Sequence, residues 1–172
     1  TIRLAHILTQ LLPDGIDGGI STSPLSYRFW FEGEEAQKEA IGKATQNILF
    51  VLQTLIQLKK EKGKTIHLDI EPEPDGLLET GTEFINWCKE VLQPAAIRFL
   101  ATTFNFSEAE AITAVKTHIM LCYDVCHFAI GFENHRSVLQ QLKKENIQVG
   151  KIQISAALKA RLPQIVEERQ KV

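Results

Sequence analysis

The sequence has little cysteine, no long apolar run and no clustered positive charge, and each shortage closes a class of explanation. Cys88, Cys122 and Cys126 are an odd number without metal-finger spacing, which suits a reducing compartment rather than a disulfide framework. The longest apolar stretch, near Ile48 to Ile56, is broken by Gln53 and Thr54 and falls far short of a membrane span. The 19 basic residues are scattered among 21 acidic ones, for a net charge of -2. A nucleic-acid partner is therefore disfavoured, because binding a phosphate backbone needs a positive face. No signal-peptide pattern opens the chain, although it does not begin with Met, and cytoplasm is the expected setting. No Gly-x-Gly-x-x-Gly or phosphate-loop motif follows any expected strand, which weakens a nucleotide-binding reading.

What is present is a regular alternation. The 172 residues fit one domain, 1–172, with length enough to bury a core. A first helix is expected over Thr1 to Leu12, ended by Pro13-Asp14-Gly15, then a short strand over Gly19 to Ser23. Glu34 to Lys62 is the clearest helix. Ile41, Ala44, Ile48, Leu52, Leu55 and Leu58 recur at three or four residues, acids come early, lysines late, and Gly63 caps. Thr65 to Glu71 alternates and is stopped by Pro72 and Pro74, as a strand. Helix is expected over Leu77 to Leu92, with one or two more over Pro94 to Lys116, where Ser107 and Glu110 resemble a capping box. His118 to Asp124 reads as a strand, Asn134 to Glu145 as a helix, Val149 to Ser155 as a strand, and Ala157 to Glu168 as a final helix. Four short apolar strands between helices predict an α/β fold with a parallel sheet covered by helices.

In such folds ligands gather at the carboxyl ends of the strands. The first end carries Ser21 to Arg28, the second Glu71-Pro72-Glu73-Pro74-Asp75, the third Asp124-Val125-Cys126-His127 and the fourth Gln153-Ile154-Ser155. Carboxylate, imidazole and amide oxygen thus point to one pocket. A divalent cation such as Mn²⁺, Mg²⁺ or Zn²⁺ accepts these ligands. Glu71 and Asp124, on separate strands, are placed to bridge it, and a carboxylate beside such an ion is suited to moving a proton between carbons. The same ion equally suits activation of water for hydrolysis.

The segments Leu68-Asp69-Ile70-Glu71-Pro72-Glu73-Pro74, Leu121 to His127 and Lys151-Ile152-Gln153-Ile154-Ser155 resemble, in order and strand placement, those of the xylose isomerase-like barrels. That superfamily includes sugar and sugar-phosphate isomerases and epimerases, and apurinic endonucleases. The nearest resemblance is to a bacterial subfamily encoded in the ebo gene cluster, the metabolite-traffic proteins, and it covers essentially the whole chain. It implies a partial TIM (β/α)8 barrel matching strands four to seven of eight, acting on a small sugar-like molecule. By position, Glu71 resembles the family's metal-binding and proton-transferring glutamate, Asp124 its metal aspartate and His127 its substrate-contacting histidine. Gln153 stands where most relatives place a metal-binding histidine. The last-strand glutamate of the family has no counterpart here. The expectation is a piece of a longer barrel of ~250 residues, inactive alone and self-associating, since half a barrel leaves sheet edges and an inner face open.

Other residues carry weaker signals. Tyr27 and Arg28 are candidates to hold a polar substrate or phosphate, with a plain surface loop as the alternative. Glu73 is a candidate substrate contact or a solvated loop acid. Cys122 and Cys126 read as small buried hydrophobes, and His67, in mid-strand, as a packing residue. Two further functions stay open: a carrier that binds a metabolite without converting it, motivated by Gln153 and the missing glutamate, and an apurinic-site endonuclease, disfavoured by the charge.

Overall fold

The structure, a computed structural model, describes residues 1–166 and 169. Its centre is a four-stranded, all-parallel sheet in the order β1 (Gly18–Thr22), β2 (Ile66–Ile70), β3 (Ile119–Asp124), β4 (Val149–Gln153). Strands consecutive in sequence are neighbours in the sheet. Each crossover is helical, as parallel pairing requires. The α/β expectation holds, with four parallel strands forming half of a barrel wall.

The first crossover is α2 (Gly33–Lys62), which follows α1 (Ile2–Leu11) and a short 3-10 turn at Arg28–Trp30. Glu34 and Glu35 in the first turn and Lys59, Lys60 and Lys62 in the last complement its dipole. Gly63 ends it in the left-handed conformation, φ 68°, which a Cβ would disfavour. Ile48, Leu49, Leu52, Leu55 and Ile56 form its buried stripe. They pack on the outer sheet face of Ile66, Leu68 and Ile70, each such side chain contributing about 1.5–3 kcal/mol when fully buried.

The second crossover departs from the expected single helix over Leu77 to Leu92. Helix α3 (Gly81–Asn86) begins only at Gly81, because Thr80 and Glu83 form a capping box there. It continues through a π-helical stretch, Trp87–Leu92, into α4 (Gln93–Phe104). Pro94 has no N–H to donate and its ring would clash with the carbonyl four residues back. The wider turn before it, where the Gln93 N–H reaches the Cys88 carbonyl, absorbs that misfit. Asn105 ends α4 at φ 56°, and α5 (Glu108–His118) starts from the Ser107–Glu110 capping box.

After β3, α6 (Val125–Ile130) is a short helix that no periodicity announced, and α7 (His135–Lys144) is capped by Asn134. The final helix expected over Ala157 to Glu168 is a correction. Residues 154–163 carry no regular structure, as Pro163 and a run of exposed side chains leave no packing partner to stabilise a helix. Glu167 and Glu168 lie outside the described residues. Among the described residues no helix is long and apolar enough to cross a membrane.

The sheet is strongly curled. Lys151 Nζ on β4 donates to Ser21 Oγ on β1 at 2.9 Å, although three strand spacings in a flat sheet would separate those strands by about 14 Å. A bulge helps. Leu121 pairs with Val149 but Cys122 with Lys151, so Gly150 is the extra residue, and bulges sharpen local twist and bend. Gly150 then lies against the Asp69 carboxylate of β2.

Candidate functional site

The alternation of β2 sends Ile66, Leu68 and Ile70 outward to the helices and His67, Asp69 and Glu71 into the concave face. Glu71 follows the strand directly, its N–H bonded to the Thr22 carbonyl at 3.0 Å, before Pro72 ends the ladder. On β3 the inward residues include Cys122 and Asp124, and on β4 Lys151 and Gln153. The loops beyond the strand ends are tied together by an antiparallel bridge between Tyr27 and Gly76.

Three strands meet at one amide. Gln153 Nε2 donates to Glu71 Oε1 at 2.9 Å and to Asp124 Oδ2 at 2.7 Å. Its Oε1 accepts from Lys151 Nζ at 2.6 Å. An ammonium only donates, so the amide oxygen must face Lys151 and the NH₂ must face the carboxylates. The structure thus brings Gln153 to Glu71 and Asp124, as a donor to both and not through its oxygen.

Asp124 is the most heavily held of these groups. It caps α6 through Cys126 N–H at 3.0 Å, and its Oδ1 also accepts the Ser155 hydroxyl. Burial works to raise its pKa, but Ser155, the Cys126 thiol and N–H and Gln153 outweigh that and hold it at about 2. Cys122 does the reverse. Burial first, and the Glu71 charge second, push its thiol up to about 12, and its Sγ lies 3.5 Å from Glu71 Oε2. It is a protonated neighbour of that carboxylate.

His127 Nδ1 is 3.2 Å from the Pro72 carbonyl. A carbonyl only accepts, so Nδ1 carries a proton, and Nε2 lies 3.9 Å from Asp124 Oδ2. Nδ1 lies 3.6 Å from Glu71 Oε1. The ligand atoms of Asp124, Cys126 and His127 all fall within 4.8 Å of one another. Carboxylate, thiol and imidazole, with the Pro72 carbonyl orienting the ring, are donors that could hold Zn²⁺ more readily than Mg²⁺.

The remaining expected contacts divide. Tyr27 and Glu73 line one cavity of about 390 Å³ with Ser23, Ser26 and Trp30. Arg28 turns away from it, donating to the Gly76 carbonyl at 3.0 Å and to Glu83 at 2.8 Å, with Glu79 at 3.7 Å. Lys151 carries no reading of its own in the sequence, and Cys122 reads there as a small buried hydrophobe, which it is, without its contact to Glu71. The signal for Lys151 was its position two residues before Gln153, hence on the same face of β4; for Cys122 it was the same offset from Asp124.

One layer deeper, His67 Nδ1 lies 2.7 Å from Asp69 Oδ1. Asp69 is fully buried and, among the described residues, its Oδ2 has no hydrogen-bond partner. His67 is therefore an inner-face residue beneath the strand-end cluster.

Comparison with protein-family models, curated proteins and solved structures finds no match to this chain.

Proposed function

We propose that the chain is part of a xylose isomerase-like TIM barrel and that its strand ends form an isomerase- or epimerase-like site for a small polyol-type metabolite. The observation that carries this reading is the meeting of Glu71 and Asp124, from neighbouring strands, at a single nitrogen 2.9 and 2.7 Å away. Side chains on three strands converging on one point above a packed sheet are a reactive-site arrangement. Glu71 is the proton-transferring carboxylate and His127 the substrate contact beside it. Tyr27, Glu73 and the cavity they line hold the rest of the molecule, while Arg28 fixes the loop through Glu83.

A divalent metal (Zn²⁺, Mn²⁺ or Mg²⁺) fits the donors of Asp124, His127 and Cys126, with Glu71 adjacent. When bound it supplies polarisation of carbonyl and hydroxyl oxygens. A carrier role without turnover is the second reading, favoured by the way Gln153 satisfies both carboxylates internally. The endonuclease reading is weaker, since the strand ends concentrate Glu71, Glu73, Asp75 and Asp124 where a DNA backbone would need cations.

Two measurements test this on the chain and on any longer gene product containing it. Elemental analysis after dialysis should find metal that is lost in Glu71→Ala and Asp124→Ala. Proton NMR in D₂O should show deuterium entering the carbon next to the carbonyl of aldose or ketose probes. Metal and ligand binding without any exchange would leave the carrier; the absence of both would end the reading.

A further inference from the structure

We propose that Lys151 is the anion-stabilising catalytic residue of this site, binding the substrate oxygen that becomes negative when Glu71 removes a neighbouring carbon-bound proton. The proposal rests on the reading of Glu71 as the proton-transferring group.

An ammonium has three N–H donors. Two are used, on Ser21 Oγ at 2.9 Å and Gln153 Oε1 at 2.6 Å. Both acceptors are neutral. Among the described residues the lysines that form ion pairs are Lys38, Lys43, Lys64 and Lys89, and Lys151 has no carboxylate partner. It therefore presents a solvent-exposed ammonium at the concave face, directed by two hydrogen bonds and without a paired carboxylate, with one donor left for a ligand. Through the Gln153 amide it stands next to Glu71 Oε1.

A carboxylate and a cation flanking one space suit enolisation next to a carbonyl. Glu71 takes the proton from the carbon. The C–H electron pair becomes the new C=C bond, and the carbonyl π pair comes to rest on oxygen, where Lys151 meets it. Glu71, after exchange of its proton with solvent, returns a proton to the former carbonyl carbon, where the C=C pair becomes the new C–H bond. The hydroxyl proton of the neighbouring oxygen passes to the enolate oxygen, and the O–H pair it leaves forms a carbonyl there, which completes an aldose–ketose isomerisation. No oxidant or reductant enters.

The test uses glycolohydroxamate, a mimic of the enediolate, titrated into the EDTA-treated full chain by calorimetry. The wild type should bind. Lys151→Met should bind about tenfold more weakly or worse, the loss expected for a hydrogen bond to a charged group. Lys151→Arg, which keeps the charge, should recover most of the loss, and circular dichroism should be unchanged in both. Equal binding by wild type and Lys151→Met overturns the proposal. Binding that requires added Zn²⁺ or Mn²⁺ also overturns it, while leaving the metal-dependent reading of the site intact. No binding with or without metal overturns both.

Discussion

Lys151 Nζ sits 2.6 Å from the side-chain oxygen of Gln153, and this contact decides which end of the amide Glu71 and Asp124 meet. With the oxygen taken by a donor-only group, the NH₂ must turn to the carboxylates, where it satisfies both at once. Gln153, a candidate metal ligand by its place in the sequence, meets both carboxylates here through its NH₂.

The first prediction follows from that orientation. Gln153→His replaces two N–H donors with a ring that presents a lone pair to the same point. Zn²⁺ affinity, measured by competition with a chromogenic chelator, should rise by about 10–100-fold, the scale on which groups around a metal tune its binding. Unchanged affinity would mean that the amide does not govern access of an ion to Glu71 and Asp124.

The Gly150 bulge makes a second test. A Cβ there would run into the Asp69 carboxylate and stand 2.8 Å from His67 Nδ1. Gly→Ala at an undemanding site stabilises a protein by about 0.4–1 kcal/mol. Overpacking a core costs about 1–3 kcal/mol, so the signs are opposite. Gly150→Ala should lower the urea midpoint, and combining it with Asp69→Ala should cost less than the sum of the single changes. Additive losses would show that the glycine is not there to clear the carboxylate.

Trp87 offers a third. Its Nε1 donates to Thr45 Oγ1 at 3.0 Å in the core, joining the π-helical stretch to α2. Thr45→Val keeps the shape and removes the acceptor, stranding a buried N–H at a cost of about 1–3 kcal/mol. Thr102 also bonds back along its helix, to the Arg98 carbonyl, but is exposed, and Thr102→Val should change stability by less than about 0.5 kcal/mol. Equal effects from the two substitutions would remove the Trp87 bond as the cause.

What the sequence could say about all this depended on whether a residue's partner was local. Strands β2 and β3 were legible because Pro72 and Asp124 mark their ends, and α2 because 30 residues carry one apolar stripe with matched charges. Glu71, Asp124 and His127 were legible as strand-end residues, and the structure brings their side chains near one another. The role of Lys151 was not, because its partner Ser21 is 130 residues away, reached only when the sheet curls at the Gly150 bulge. The start of α3 at Gly81 was hidden for a related reason, since apolar residues from Leu77 onward suggest a helix that the Thr80 capping box delays. The expected final helix shows the converse: Ile154, Leu158 and Leu162 have helical spacing, but no surface among the described residues buries them.

His118 predicts how stability follows pH. It is buried at the end of α5, with Nδ1 bonded to the Ile66 carbonyl at 2.7 Å. Burial lowers its pKa below 6.5, against the pull of that carbonyl, and Lys59 and His67 lower it further. The unfolded chain therefore binds a proton near pH 6.5 that the folded chain does not. Stability should be full above that pH and decline as pH falls from 6.5 towards the depressed folded value. His118→Gln should flatten the slope of urea midpoint against pH in this window while costing about 1 kcal/mol at pH 7.5. A slope unchanged by the substitution would assign the pH dependence elsewhere.

The last prediction concerns the outer face of β4. Ile152 and Ile154 are 56% and 87% exposed, and Leu158 and Leu162, just beyond, are 98% and 62% exposed. Exposed apolar side chains of this size, on and just beyond an edge strand, favour association, because burying each recovers roughly 1.5–3 kcal/mol and an open edge offers unpaired backbone donors and acceptors. The chain should therefore elute as a dimer or larger species with light-scattering detection at micromolar concentration. Ile154→Lys with Leu158→Lys places two charges in the patch and should shift it to monomer without loss of circular dichroism signal, since neither side chain belongs to the core. A wild-type monomer would show that the exposed face does not drive assembly. A double variant that stays associated would place the contact on another surface, with the exposed Ile7 and Leu11 of α1 the next to substitute.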